Sequence, residues 1–471
     1  MSEVVRVDET LWEIPASARP DMRVPARVFA DDALFEAIAR DGSLEQTQNV
    51  ATLPGIVGAA LAMPDAHQGY GFPVGGVAAM QLPDGVVSPG GVGYDINCGV
   101  RLLALPCTAL ELGQRREALV HELSRAIPAG AGKKDRDARG GHELEAVLRA
   151  GPQALGVSAE DIERTESRGC LPGADPAAVS ERARDRGTGQ LGTMGSGNHF
   201  VELQRVTRTF DTPAATGYGL AEDQVTVLIH SGSRGLGHQV CSDYVKQMDA
   251  VMRRHGIELP DRQLACAPAS SPEGRAYLAA MAAAANFAWA NRQVIADKVR
   301  AAVAIVLGRG AADGTRQVYD VAHNVAKVER YDGRELLVHR KGATRAFPAG
   351  SDEIPQVYRE FGQPVFIPGS MGTSSFVLAG EPGSLARSFG STCHGAGRAL
   401  SRTSARKQIQ GAELRRQLEA QGIVVRSPSN KGLAEEAPLA YKQVERVVEV
   451  VERAGLARRV AQLAPLGVVK G

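Results

Sequence analysis

Apolar runs along this chain are short, and most end in turns rich in glycine, serine or asparagine. Residues 86–105 have the pattern strand, glycine-rich loop, strand. Residues 225–229, 317–321 and 365–367 are further runs of strand length, and each is followed closely by histidine or glycine. The pattern predicts several buried strands whose ends carry polar side chains, a common position for binding and catalytic groups.

Longer segments with a helical pattern separate these strands. They cover residues 110–126, 272–307, 411–420 and 437–453. Ser271 precedes Pro272, which is the signature of an N-cap followed by proline in the first turn of a helix. We therefore expect an α+β fold, with mixed β-sheets flanked by helices in one large domain covering residues 1–471. Residues 130–190 are polar and of mixed charge, and we expect them to form a peripheral, partly helical excursion.

The composition of the chain narrows the possible classes of protein. Apolar residues make up 44% of the chain, enough for a large core, and the net charge of +1 leaves any nucleic-acid site to be local. The longest nonpolar stretch, residues 277–285, is too short to cross a bilayer, and we see no secretion signal. The six cysteines include no CxxC pair. We expect a reduced, cytoplasmic protein with no membrane partner.

Several common catalytic motifs are absent from the sequence. It has neither a P-loop nor an H-E-x-x-H zinc motif. The nucleotidyl-transfer motif K-x-D-G is imitated only by the segment that begins at Arg330, and arginine stays protonated and is a poor nucleophile. A covalent nucleotide adduct would therefore need a residue other than lysine.

Five histidines lie in glycine-, serine- or asparagine-rich turns, and nearby turns carry an aspartate and a cysteine. Asp95 and Cys98 are three residues apart, so both side chains can point to one place, and a thiolate can bridge two cations. Three of the histidines, from distant segments, could complete two metal sites that keep open positions, as catalytic sites do. The candidate ligands are Asp95, Cys98, His199, His230 and His323. These donors would suit Zn, Mn, Fe or Co.

Other interpretations remain open from the residues alone. A single histidine at a strand end is more often a hydrogen-bonded structural group, and a single cysteine is more often a small buried apolar residue. The joint set would also fit a dinuclear metal-dependent phosphodiesterase that uses a bridging hydroxide. A third possibility is a metal-dependent RNA-binding scaffold without catalytic activity.

Four longer segments resemble the signature blocks of a known family. They begin at Asp95 (D-I-N-C-G-V-R), Gly195 (G-S-G-N-H-F-V-E), His230 (H-S-G-S-R-G) and His394 (H-G-A-G-R). The chain resembles the RtcB family from about residue 49 to its last residue. RtcB proteins are GTP-dependent RNA ligases that join a 3′-phosphate or 2′,3′-cyclic phosphate end to a 5′-hydroxyl end.

The resemblance implies roles for individual residues. It implies that the five candidate ligands hold two Mn²⁺ ions with Cys98 bridging, and that His394 attacks the α-phosphate of GTP and carries GMP. Asp65 matches another position linked to activity. The implied nucleotide contacts are Asn198, Glu202, Ser375, Gly395, Ala396, Gly397, Arg398, Tyr441 and Lys470. A hydrolase has no evident need for His394 or for these base contacts.

The implied partners are RNA with broken or spliced tRNA-type ends, GTP, and an archease-type activator whose involvement the residues leave open. We expect a monomer, since no heptad seam indicates a coiled coil. RNA would be held mainly through its phosphates. The candidate cations are Arg234, Arg340, Lys341, Arg345, Arg398, Arg402, Arg406 and Lys407, and a solvated surface is the simpler interpretation for the last two.

Overall fold

The computed structural model describes residues 4–135 and 142–471 of the chain. In that part, the strands are β1 (Val5–Asp8), β2 (Leu11–Ile14), β3 (Ala26–Phe29), β4 (Ile56–His67), β5 (Val74–Gln81), β6 (Val86–Val87), β7 (Gly99–Thr108), β8 (Phe200–Thr209), β9 (Gln224–Ser231), β10 (Ala267–Pro268), β11 (Arg316–Ala322), β12 (Asn324–Tyr331), β13 (Arg334–Lys341), β14 (Ala343–Arg345), β15 (Pro364–Ile367), β16 (Ser375–Gly380), β17 (Ser391–Cys393), β18 (Val424–Arg426) and β19 (Ala457–Lys470).

The helices in the same part of the chain are α1 (Asp32–Arg40), α2 (Ser43–Val50), α3 (Ala109–Leu112), α4 (Arg115–Ala126), α5 (His142–Ala150), α6 (Ala159–Glu163), α7 (Glu181–Gly187), α8 (Thr212–Tyr218), α9 (Arg234–Val251), α10 (Pro272–Leu307), α11 (Arg309–Asp313), α12 (Pro382–Ser388), α13 (Arg402–Gln408), α14 (Gly411–Ala420), α15 (Asn430–Glu435) and α16 (Val444–Arg453).

Two large sheets form the framework. One has the order β1-β2-β3-β4-β5-β13-β12, and the other has the order β11-β7-β9-β8-β19-β16-β15. Most neighbouring strands are antiparallel, but β3 runs parallel to β4, and β18 adds to β19 in parallel. Mixed sheets packed with helices confirm the predicted α+β class.

The long helix α10 lies at the centre of the molecule. Residues 280–293 of this helix are all buried, so it is enclosed on every side rather than amphipathic. Its many alanines let neighbouring elements approach closely. Ala280 and Phe287 belong to one core cluster, and Ile295 and Val299 belong to a second cluster built on the sheet that contains β7 and β9.

The predicted start of this helix is confirmed. The Ser271 hydroxyl accepts a hydrogen bond from the Gly274 amide at 3.0 Å, and Pro272 occupies the first turn. The helix predicted over residues 411–420 is also confirmed as α14. The segment predicted as one helix over residues 110–126 is divided at Gly113, whose φ of +49° interrupts the helix between α3 and α4.

The prediction of a helix from residue 437 is wrong at its start, because α16 begins only at Val444. A short 3-10 turn occupies Pro438–Ala440, and Tyr441 is extended and forms a β-bridge with Arg398. This extended backbone brings Tyr441 towards the cavity described below.

The stretch 130–190 is partly helical in its described part, and residues 136–141 lie outside the described residues. It does not stay at the periphery. Leu144, Val147 and Leu148 of α5 belong to the same core cluster as Phe287 of α10. Further along, the fully buried Glu166 forms an ion pair with Lys327 at 3.0 Å. No helix of the described residues is both long and apolar enough to cross a bilayer.

Candidate metal centre and nucleotide cavity

The candidate metal ligands come together where several strands end. His230 lies near the end of β9, His323 lies between β11 and β12, and Cys98 directly precedes β7. The strands β11, β7 and β9 are neighbours in one sheet, so their ends meet at one edge. His199 immediately precedes β8, the next strand in that order. The sheet therefore collects ligands that lie far apart in the sequence.

A buried arginine holds the loop that carries Cys98. The Arg292 guanidinium donates hydrogen bonds to the Asn97 carbonyl at 2.8 Å and the Ser231 carbonyl at 2.9 Å. It also pairs with Asp320 at 2.8 Å, and Asp320 pairs in turn with Arg101 at 2.7 Å. These three charged side chains are fully buried. The network therefore fixes the backbone next to Cys98 and His230.

The donor atoms form two groups that share one sulfur. Cys98, His230 and His323 form one group, and Asp95, Cys98 and His199 form the other, with the donor atoms of each within 4.8 Å of one another. The Cys98 Sγ atom lies 3.3 Å from His230 Nε2 and 3.4 Å from His199 Nε2. The Nε2 atoms of His230 and His323 are 3.3 Å apart.

Most of these spacings are close to those expected around two metal ions, whereas His199 Nε2 and Asp95 Oδ2, at 2.8 Å, are at hydrogen-bond distance and would have to separate around an ion. Ligand atoms that lie about 2.1–2.3 Å from an ion in tetrahedral geometry are roughly 3.4–3.8 Å from one another. A shared sulfur between two groups also matches the bridging position predicted for Cys98. Gly232 leaves room for the carboxylate, since a Cβ atom there would lie 2.4 Å from Asp95 Oδ1.

The two acidic ligands differ in their protonation. Burial raises the pKa of the Cys98 thiol well above its usual range. A bound cation would reverse this preference, because a coordinating thiol loses its proton. Loss of hydration also raises the pKa of Asp95, but attraction to His199 and a hydrogen bond from it outweigh that effect and bring the pKa to about 2.

His394 stands apart from both donor groups. It follows β17, and its Nδ1 atom lies 2.6 Å from Oδ2 of the fully buried Asp65. The same oxygen accepts hydrogen bonds from the amides of His394 at 3.0 Å and Gly395 at 3.2 Å. Burial opposes the charge on Asp65, but His394 and these hydrogen bonds lower its pKa overall. In the neutral tautomer that carries its proton on Nδ1, facing the carboxylate, the lone pair of the imidazole is on Nε2.

Two close approaches fix this pair. The His394 ring centroid lies 4.9 Å from that of His323, which places it beside the metal donors. Gly397 has a φ of +74°, and a Cβ atom there would lie only 2.1 Å from the Asp65 carbonyl oxygen. A larger residue at position 397 would therefore push the glycine-rich turn away from Asp65.

A cavity of about 290 Å³ connects these groups. Its wall includes metal-ligand candidates, His394 with the turn that follows it, and most of the predicted nucleotide contacts: Asp95, Cys98, His230, His323, His394, Gly395, Ala396, Gly397, Arg398, Asn198, Glu202, Tyr441 and Lys470. Ser375 does not line it. The Ser375 hydroxyl lies behind the wall and accepts hydrogen bonds from Gln204 at 3.0 Å and the Gly369 amide at 3.2 Å.

A buried glutamate that the sequence analysis did not single out organises one side of the cavity. Glu436 accepts hydrogen bonds from Arg398 at 3.2 Å and from the Tyr441 hydroxyl, and it lies 3.9 Å from Lys470 Nζ. Burial raises the pKa of Glu436, but attraction to Lys470 and the other partners lowers it overall. Burial lowers the pKa of Lys470 to about 8 and raises that of Glu202 to about 8.

Known proteins are similar to this chain over nearly its whole length, including the residues of the cavity. The family model described as "tRNA-splicing ligase RtcB" matches residues 46–471. The chain belongs to the RtcB family. It is 52% identical to the tRNA-splicing ligase RtcB of Thermococcus kodakarensis over 480 residues, covering all of this chain and 99% of that protein. The corresponding protein of Archaeoglobus fulgidus is 50% identical over 475 residues, covering 99% of this chain and 98% of its own length.

A bacterial relative matches nearly as much of the chain. The RNA-splicing ligase RtcB of Mycobacterium tuberculosis is 52% identical over 447 residues, which cover 90% of this chain and all of that protein. The resemblance seen in the sequence is therefore confirmed as membership of the RtcB family.

Not every cation predicted to contact RNA is free to do so in this RtcB-family chain. Arg340 is fully buried and forms two hydrogen bonds of 2.7 Å with Glu329. Arg345 is also buried; it lies 3.6 Å from the buried carboxylate of Glu166 and pairs with the exposed Glu353 at 3.2 Å. The prediction is wrong for these two arginines, because they balance buried carboxylates. Lys341 is buried as well, but it lines the cavity.

The remaining candidates are more accessible. Arg234 and Arg402 line a second cleft beside the cavity, and Arg398 lines the cavity itself. Arg406 pairs with Glu435 at 3.4 Å, and Lys407 is exposed, which fits the simpler interpretation of a solvated surface for both.

Proposed function

We propose that this protein is an RNA ligase that joins 2′,3′-cyclic phosphate or 3′-phosphate ends to 5′-hydroxyl ends in tRNA splicing or RNA repair, using GTP. The observation that carries the proposal is the His394–Asp65 pair, with His394 Nδ1 2.6 Å from the carboxylate, beside two metal-donor groups but belonging to neither. Family membership supports RNA ligation as the overall reaction.

In the first step, the lone pair on His394 Nε2 forms a bond to the α-phosphorus of GTP, and pyrophosphate leaves. A neutral imidazole suits this role because it needs no prior deprotonation. Asp65 holds the proton on Nδ1 and stabilises the positive charge that the ring acquires. Two Mn²⁺ ions held by the five donors would neutralise charge on the reacting phosphoryl oxygens.

In the later steps, an oxygen of the RNA 3′-phosphate attacks the phosphorus bound to His394 and takes GMP, which restores the free imidazole. The 5′-hydroxyl of the second RNA then attacks the activated 3′-phosphate, forms the phosphodiester and releases GMP. A 2′,3′-cyclic phosphate must first be opened by water. Arg234 and Arg402, in the cleft beside the cavity, are suited to hold RNA phosphates.

The nucleotide would occupy the cavity with its phosphates against the turn at residues 395–397. Asn198 and Arg398 line the same cavity as the metal donors, where they would contact phosphate or ribose. Glu202, Tyr441 and Lys470 line the wall where the base would bind. Ser375 would act through the segment that carries Gly369 rather than by direct contact.

The test is covalent labelling with α-labelled GTP and Mn²⁺. We expect a labelled protein whose label is lost in acid and retained in base, as for a phosphorus–nitrogen bond. His394→Ala should lose the label. The matched control is His121→Ala, because His121 is an exposed histidine on α4, away from the cavity wall. Metal content and GTP binding of His394→Ala, measured without chemistry, should stay near those of the parent. Full labelling of His394→Ala would overturn the assignment.

The same experiment separates ligation from hydrolysis. A dinuclear phosphodiesterase would need the metal donors but not His394, so it would cleave a cyclic phosphate without any label on the protein. Label formation followed by its transfer to a 3′-phosphorylated RNA would exclude that alternative.

A further inference from the structure

A second cleft, of about 730 Å³, opens beside the nucleotide cavity. The two share Tyr94, Asp95, Asn198 and Arg402 in their walls, so the cleft leads to the metal donors. Five cationic side chains line it, against the carboxylates of Asp95 and Asp185: Lys134, Arg182, Arg186, Arg234 and Arg402. The cleft is therefore locally basic, although the chain has a net charge of only +1.

Four of these five cations are exposed at the surface, whereas Arg234 is half-buried and donates hydrogen bonds to Thr193 Oγ1 at 3.2 Å and to the Gly130 carbonyl at 3.1 Å. Lys134, Arg182 and Arg186 are exposed, and neither Lys134 nor Arg182 pairs with a carboxylate within residues 4–135 and 142–471. Arg402 keeps 54% of its side-chain surface exposed despite its contact with Glu436. An array of this kind suits a phosphate backbone, in contrast to the buried pairs at Arg340 and Arg345.

Three aromatic rings lie in series beside the cleft, and two of them, Tyr94 and His238, line it. The ring of Tyr70 meets that of Tyr94 edge-on, with centroids 5.4 Å apart. The ring of Tyr94 is followed by that of His238 at 4.8 Å, with an angle of 32° between their planes. His238 is exposed, whereas Tyr70 and Tyr94 are half-buried. The outermost ring of the series is therefore accessible from the cleft.

The position of His238 is set by its helix and by a neighbouring arginine. His238 lies four residues after Arg234 on α9, so the two side chains share one face of the helix and both line the cleft. Arg186 Nη1 lies 3.5 Å from His238 Nδ1 and donates to Gln239 Oε1 at 3.0 Å. Burial and the charge of Arg186 lower the pKa of His238, which favours a neutral ring.

As in the proposed function, RNA phosphates would lie along the cations of this cleft. We propose that one terminal base of a single-stranded RNA end stacks there on the ring of His238. Aromatic stacking and a cationic track together are the usual means of binding single strands without sequence preference. Such a base contact would guide an RNA end to the metal donors while tolerating any nucleotide. The inference rests on the proposed ligase function for its choice of RNA as the ligand.

The test compares RNAs that differ only in their terminal base. Fluorescence anisotropy would measure binding of ten-nucleotide single-stranded RNAs to metal-loaded protein without GTP. One RNA ends in a 2′,3′-cyclic phosphate and another begins with a 5′-hydroxyl, and each has a counterpart whose terminal nucleotide lacks its base. We expect His238→Ala to weaken binding of at least one complete RNA by about fivefold to tenfold. His238→Phe should keep most of the affinity, and His121→Ala is the matched control.

The counterpart RNAs give the decisive comparison. If the base stacks on His238, the RNA without that base should bind the parent and His238→Ala equally. An equal loss for both RNAs, or no loss at either end, would overturn the inference. GMP labelling of His238→Ala, which needs no RNA, should match the parent and shows that the fold is intact. If neither the parent nor His238→Ala were labelled by GTP, but His238→Ala still lost affinity only for the RNA that carries the terminal base, the ligase proposal would be refuted and the RNA site would stand.

Discussion

Replacement of Asp65 by asparagine removes the buried negative charge beside the candidate nucleophile His394 and keeps the size of the side chain at position 65. Asp65 is fully buried, and its Oδ2 atom lies 2.6 Å from His394 Nδ1. An asparagine oxygen could still accept the backbone hydrogen bonds from His394 and Gly395. Its amide group could also turn towards Nδ1 and donate to it, which would favour the wrong tautomer of the imidazole. The change therefore affects the chemistry of His394 more than the fold.

The expected effect follows from the charge that the imidazole gains when it bonds to phosphorus. Two unit charges about 4 Å apart attract each other by about 4 kcal/mol at an effective dielectric constant near 20. Loss of that attraction would slow formation of the GMP adduct by about 10³-fold. GTP binding, which precedes this charge, should change by less than about threefold.

The assay is a single-turnover time course of labelling with α-labelled GTP, accompanied by a separate measurement of GTP affinity. Asp84→Asn, at an exposed carboxylate, is the matched control. Metal content should remain that of the parent, because Asp65 belongs to neither donor group. A labelling rate within tenfold of the parent, with normal GTP affinity, would show that Asp65 does not prepare the nucleophile.

Two further predictions concern the metal centre and the cavity wall. Cys98→Ala should lower the metal bound per chain, because its sulfur is shared by both donor groups; elemental analysis measures this, and unchanged metal content would refute the bridge. Burial raises the pKa of Glu202 from 4.5 to about 8, so between these pH values the native state holds a proton that the unfolded chain has released. The free energy of unfolding of the parent, relative to Glu202→Gln, should therefore fall from pH 5 to pH 8, by at most about 1.4 kcal/mol per pH unit. Urea unfolding at several pH values measures this, and a constant difference would contradict it.

The sequence was most informative where structure depends on local patterns. The cap at Ser271 and the start of α10 follow from the side chain that precedes a proline, and the strand ends follow from apolar runs bounded by turns. The sequence blocks around Cys98 and His394 were distinctive enough to predict the RtcB family, which the comparison confirmed. Their meeting in one cavity depends on strand order, which the sequence pattern does not give.

The sequence was least informative about buried charge. Glu436 stands next to Glu435 in a segment that resembles solvated surface, yet it contacts Arg398, Tyr441 and Lys470 inside the cavity wall. Arg340 looked equally suited to RNA, but its partner Glu329 lies on the neighbouring strand β12. Whether a charge is solvated or paired is decided by segments that meet only after folding.

The ion network beside Cys98 would affect how metal ions enter and leave the candidate site. Arg292 belongs to α10, the most enclosed helix, and its guanidinium ties the carbonyls beside Cys98 and His230 to that helix. Local opening of this loop would break its hydrogen bonds to the buried Arg292 guanidinium, so it should occur only when the surrounding core also unfolds. We therefore expect the metal-free protein to keep the same backbone, and ions to exchange through the cavity without any refolding of the chain.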